Sequence, residues 1–140
     1  MMKEIQSFLK SAVLRKSSRC TFEEVYRNRI HYVASLKEKQ ASFPLYGTRY
    51  LSYVEEHKKS RERTLMKVVR LLEHSYVEGH RIIISGLPSG KDALCIAAGF
   101  LLLLREAESL PEAAVMLKRL DPSIDPAPLC KETWLNELLV

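Results

Sequence analysis

Apolar residues along the chain recur at spacings that change from one segment to the next. Ile5, Phe8, Leu9, Ala12 and Val13 sit three or four residues apart, the spacing of one helix face. Thr21 to Arg29 reads as a short helix, because "TFEE" supplies a capping box in which Thr21 caps and Glu24 reaches back. "IHYVASL", residues 30–36, alternates as a strand does, and a polar connection, "KEKQASFPLYGT", leads to a second strand, "RYLSYV", Arg49 to Val54. The charged stretch "EEHKKSRER" reads as a loop. Thr64 to Glu78 repeats Leu65, Val68, Val69, Leu72 and Tyr76 on one helical face, with Gly79 placed to end it. Arg81 to Ser85 is β-branched and predicts a third strand, followed by a loop and a continuous apolar run that predicts a buried helix to about Ala107. "SLPE", Ser109 to Glu112, is a second capping box with Pro111 in the first turn; its helix runs to Leu120. The turn "DPSIDPAP" then leads into an amphipathic helix, Leu129 to Leu139.

Strands alternating with helices predict an α/β fold, with a central mixed or mostly parallel sheet covered by helices on both faces. At 140 residues and 46% hydrophobic, the chain is long enough for one core and too short for two. Residues 21–140 form the expected domain, and residues 1–20 a basic arm. The longest apolar run, Ala93 to Leu104, is shorter than the roughly 20 residues of a bilayer span, so no membrane span is expected.

The net charge of +5 is uneven: Lys3, Lys10, Arg15, Lys16 and Arg19 face only Glu4 before residue 21, and later charges nearly balance. Such an arm suits a membrane surface, RNA, an acidic partner or a mitochondrial transit peptide; a short helix packed on the domain is the plainer reading. The three cysteines, Cys20, Cys95 and Cys130, have no metal-ligand spacing and would leave one unpaired, which points to a reducing, intracellular and most simply cytoplasmic setting. His31, His74 and His80 likewise share no ligand spacing and read as ordinary surface or strand residues, so neither metal nor cofactor is expected. The basic run of His57, Lys58, Lys59, Arg61 and Arg63 reads as a solvated loop open to a phosphorylated or acidic partner. Trp134, with Leu135, Leu138 and Leu139, is expected to dock the last helix on the core.

The chemistry concentrates in "HRIIISGLPSGKDALCIAAGFLLLL", His80 to Leu104. Strand, tight loop and helix is the way proteins build a phosphate cradle, because loop amides and the helix N-terminus point at an anion. A GxxxxGK[ST] P-loop does not fit: Gly86 and Gly90 enclose three residues instead of four, and Asp92 stands where a magnesium-binding hydroxyl belongs. The "SGGxDS" loop of ATP pyrophosphatases shares only serines and glycines with "SGLPSGKDA".

From "IHYVASL" onward, over about residues 21–140, the chain resembles the dual-specificity protein phosphatases of the cysteine-dependent class. In that family an "ITHVLNV" strand precedes a loop and a "KYLHIPVED" strand, which "RYLSYVEE" echoes. A helix follows, then a strand entering the signature HCxxGxxR, a buried helix, a short helix opened by Ser-x-x-Glu, and a segment like "RPSIxPN" before the final helix. Here those read "RIIISGLPSGKDA", "CIAAGFLLLL", "SLPEAAVMLKRL" and "LDPSIDPAPLCKETWLNELL".

The family's reaction needs a thiolate, an arginine gripping the phosphoryl oxygens and a carboxylic acid for the leaving group. Aligned on the buried helix, Gly90 takes the signature glycine's place, Leu87 the nucleophile's, Gly86 the histidine's and Ala93 the arginine's. A shift of one residue places Gly86 and Asp92 at the two reactive positions. A shift of two pairs Ser85 with Lys91, a weak nucleophile beside a point charge without the guanidinium fork. Pro88 removes an amide donor, Ser89 completes the loop, and Lys91 lies where it would approach an anion while Asp92 offsets that charge. Cys95 falls inside the helix, where burial leaves a thiol inert. Glu55 and Glu56 stand where the family carries its general acid, a vestigial acid loop. The resemblance therefore implies a pseudophosphatase without catalytic residues, acting as a binding or structural subunit, a scaffold within a larger complex of proteins. The alternatives are a phosphate or phosphoprotein reader using the loop, and a residual phosphatase or nucleotide-binding enzyme using Ser85 and Lys91.

Overall fold

The computed structural model describes residues 2–15, 19–87 and 90–139, apart from the side chain of Met2. Helix α1 (Met2–Ala12) is followed by α2 (Phe22–Arg27), strands β1 (Tyr32–Ser35) and β2 (Arg49–Ser52), helices α3 (Val54–Lys59) and α4 (Arg61–Val77), strand β3 (Ile82–Ser85), and helices α5 (Gly90–Leu103) and α6 (Leu110–Leu120). Two 3-10 segments, Ala127–Lys131 and Thr133–Leu139, close the chain. The result is an α/β domain around a small sheet whose three strands run parallel in the order β2-β1-β3.

Parallel strands are covered on both faces and read as apolar runs, which is why "IIIS" and "YVAS" carry so few polar residues. Alternation along the strands divides the two faces. Ala34, Ile82 and Ile84 join the main core with Ile5 and Leu9 of α1, Leu65, Val68, Val69 and Leu72 of α4, and most of α5. Val33 and Ile83 point the other way, into a smaller cluster with Val25 of α2, Ile30, and the flanking Phe43, Leu45 and Tyr50.

Helix α5 is the axis of the main core, buried continuously from Cys95 to Leu102. Its close approach to α4 depends on Gly99, where a Cβ would lie 2.9 Å from Val69 Cγ2 and 3.1 Å from Leu138 Cδ1. Helix α1 is part of the same core. Ile5, Leu9 and Ala12 are buried, and Phe8 stacks on Phe100 at 5.3 Å and meets Tyr76 edge-on at 5.0 Å. Beyond α1, Arg15 forms an ion pair with Glu24, tying the arm to α2. The second half of the basic arm includes Lys16, which lies outside the described residues.

Four expectations need correction. "EEHKKSRER" is helical, forming most of α3 and the first turn of α4, because Val54 buries one side of α3 and Ser60 alone breaks the run. The buried helix stops at Leu103 instead of Ala107, turned off by Arg105 in a left-handed conformation (φ 65°). In the second capping box Ser109 accepts from the Glu112 amide, while the Glu112 carboxylate reaches the Glu108 amide rather than that of the cap. The last helix is two 3-10 segments separated at Glu132, for a reason that belongs to the site below.

Because Leu9 is fully buried, Leu9→Ala should lower unfolding stability by about 2–5 kcal/mol in urea titration. A removable arm would show no such loss.

Candidate functional site

The loop from Ser85 to Gly90 leaves the C-terminal end of β3, at the sheet edge where α/β proteins place ligands. Ser85 ends β3 opposite Ser35 of β1. Gly86 follows with φ 72°, and a Cβ there would lie 2.6 Å from Lys37 Cβ and 3.0 Å from its backbone nitrogen. Only glycine lets the chain turn here against the β1 exit, itself folded back by Ser35 Oγ accepting from the Lys37 and Glu38 amides at 3.3 and 2.9 Å. Leu87 and Ala93, at the nucleophile and arginine positions of the resemblance, are half-buried against the main core. Pro88 and Ser89 lie outside the described residues.

The polar groups of the first turn of α5 turn into the protein. Asp92 is buried, and Arg61 of α4 contacts its Oδ1 through Nε at 2.8 Å and Nη2 at 2.7 Å. The same guanidinium donates to both oxygens of Glu132, at 3.3 and 3.4 Å. Lys91 Nζ lies 2.9 Å from Glu132 Oε1, and the Trp134 indole N–H donates to Glu132 Oε2. His57 Nε2 of α3 stands 3.8 Å from Asp92 Oδ2, with its Nδ1 buried and unpaired among the described residues. Two carboxylates and two basic side chains thus pair with one another at the first turn of α5.

Glu132 explains the broken C-terminal helix. Leu129, Glu132, Leu135 and Leu138 are all buried, and they are spaced three residues apart, the repeat of a 3-10 helix. An α-helix would carry Glu132 round its surface; the tighter winding keeps it on the inward stripe, facing Arg61. Trp134 anchors this segment as expected, partly buried against the core.

The titration properties follow from these contacts. Burial works to raise the Glu132 carboxyl, but hydrogen bonds from Lys91, Trp134 and Arg61 outweigh it and hold the group down at about 2. Burial pushes the Cys95 thiol up, and the nearby Glu132 charge adds to this against Arg61, so that it titrates at about 11. Cys95 Sγ lies 3.7 Å from Arg61 Nη2, yet it is a protonated thiol at neutral pH and a poor nucleophile.

Among the residues named from the sequence, Ser85 to Leu87 and Gly90 to Ala93 are thus gathered at one loop, while Lys91 and Asp92 are directed to Glu132 and Arg61. Lys91 is turned toward Glu132, and the reading of Arg61 as a member of a solvated loop is corrected, since it lies in α4 and reaches Asp92 and Glu132. Glu55 and Glu56 are exposed in the first turn of α3 and pair with Lys39 and Lys67, each at 3.1 Å, not with the loop. His31 and His80 are in ring contact at 4.9 Å, and His31 Nδ1 accepts from the Arg81 amide. Among the described residues, no group of His, Cys, Asp and Glu is arranged to hold a metal ion, and no helix is long and apolar enough to cross a membrane. No family model matches the sequence, and no curated protein matches it.

Glu132→Gln should destabilise the fold by about 2 kcal/mol at neutral pH, below the range for fully buried pairs because Arg61 and Lys91 remain partly in water. The sign of the pH effect is fixed by the lowered carboxyl. Its contribution is complete above the ordinary value of 4.5 and falls away as pH drops toward about 2, so the wild type loses stability through that window and Glu132→Gln flattens the slope. For the loop, Gly86→Ala should cost more than the ~1–2 kcal/mol of a left-handed backbone alone. Gly47→Ala, at φ 76° with nothing within 4 Å, measures that backbone cost in open space.

Proposed function

We propose that the chain is a non-catalytic, dual-specificity-phosphatase-like domain serving as a binding or structural subunit of a larger assembly of proteins. The observation that carries this reading is the use made of the loop's side chains. Leu87 and Ala93 pack on the core, and Lys91 and Asp92 are engaged by Glu132 and Arg61. A phosphatase cradle needs a nucleophile and a bidentate cation free to meet the phosphoryl group. Here the Arg61 guanidinium beside the first turn of α5 grips two protein carboxylates.

The family resemblance gives the loop its history as a phosphate cradle, and the parallel order β2-β1-β3 with α5 after the loop is compatible with it. An intracellular, cytoplasmic setting accords with the free thiols Cys20, Cys95 and Cys130. Incoming phosphate would have to take Lys91 from Glu132, leaving that buried carboxylate to Arg61 and Trp134 alone, which disfavours a phosphate reader.

Incubated with aryl phosphates and phosphotyrosine peptides, the purified chain should release no phosphate above background. Turnover abolished by Ser85→Ala would overturn the reading. Expressed in its own cells, the protein should elute in a stable complex with other proteins and not as a lone monomer.

A further inference from the structure

At the opposite edge of the sheet from the loop, where the parallel strands begin, lies a surface of different chemistry. Phe22 opens α2 and Tyr26 follows one turn later, so the two rings stack, with centroids 5.7 Å apart. Tyr46, from the connection between β1 and β2, meets Phe22 edge-on at 6.4 Å. Tyr46 is 73% exposed, Tyr26 66% and Phe22 40%, which makes these rings a contiguous apolar patch in water, the mark of an interaction site. Beside them runs a groove of about 470 Å³, which the rings share with Arg27, Arg29 and His31, and no carboxylate lines it.

Arg29 adds an independent observation. It follows the end of α2 with φ 50°, the left-handed position where helices favour glycine. An arginine there carries backbone strain that glycine would not. The turn it makes is closed from within, the Ile30 amide donating to the Val25 carbonyl at 3.1 Å, while the exposed Arg29 side chain makes no hydrogen bond or ion pair among the described residues and so stays available to a ligand. Arg27 pairs with Glu23, at 3.1 Å, and both side chains are about three-quarters exposed, a pair weak enough for a phosphate to replace.

We infer that this surface binds single-stranded RNA, the exposed rings stacking on bases while Arg27 and Arg29 meet the phosphates. A proline-rich peptide would use the rings and leave the cations idle, and an acidic peptide the reverse. A nucleotide strand uses both, and the net charge of +5 attracts it. The surface is separate from the Ser85–Gly90 loop, and the inference stands whether or not the loop is inert.

Fluorescence anisotropy of a labelled oligouridylate, titrated with the full chain at low salt, tests it. Saturable binding should weaken roughly fivefold or more in Tyr26→Ala and in Tyr46→Ala, with thermal unfolding unchanged because both rings are exposed. Arg29→Gly should unfold at the same or a higher temperature and yet bind more weakly, with a salt dependence shallower by about one phosphate contact. A merely structural role for Arg29 would not separate stability from binding in that way. Absence of saturable binding, affinity unchanged in all three variants, or equal competition by a polyglutamate peptide would each overturn the proposal.

Discussion

Arg61 stands where three segments far apart in sequence meet: the start of α4, the first turn of α5 and the bend between the two C-terminal 3-10 segments. Its guanidinium holds Asp92 and Glu132 together, and Lys91 and Trp134 complete the coordination of Glu132. Exchanging such a network for hydrocarbon of the same shape can cost little, but removing one member strands a charge in the protein interior. The ionic cluster therefore acts chiefly on specificity. It ties the first turn of α5 to the start of α4 and to the winding of the C-terminal segments.

That constraint reorders the chemistry of the loop. The N-terminus of α5 presents a positive dipole end that a phosphate cradle would offer to its ligand. Here the chain's own Asp92 occupies the first turn, buried and bonded to Arg61, so the favourable field is met from within. Gly86 keeps the tight turn against Lys37, a geometric demand independent of any ligand. Asp92 and Glu132 thus join helix start and chain terminus through Arg61, and this underlies the proposal of a non-catalytic subunit.

Much of the fold was legible because it rests on local signals. The Thr21 capping box, the Leu65-Val68-Val69-Leu72 stripe and the apolar "IIIS" and "YVAS" runs each specify their element through neighbours in sequence. What escaped depends on distant partners. Arg61 reads as one more cation in a basic run until Asp92 and Glu132 are brought to it. Glu132 did leave a signal, since it shares a three-residue repeat with Leu129, Leu135 and Leu138. A carboxylate on an apolar stripe of that period implies a 3-10 winding and a buried cationic partner. The aromatic patch escaped for the same reason: Phe22 and Tyr26 are adjacent on one helix, but Tyr46 and the left-handed Arg29 join them only in three dimensions.

The proposal of a non-catalytic subunit rests on Lys91 and Asp92 being held by Glu132 and Arg61. Its most direct test is an amide-resolved NMR titration of the chain with inorganic phosphate. The amide resonances of Ser85 to Leu87 and Ser89 to Ala93 should stay in place as phosphate is raised through the millimolar range. Saturable shifts centred on Gly86 to Asp92, with Lys91 leaving Glu132, would contradict it.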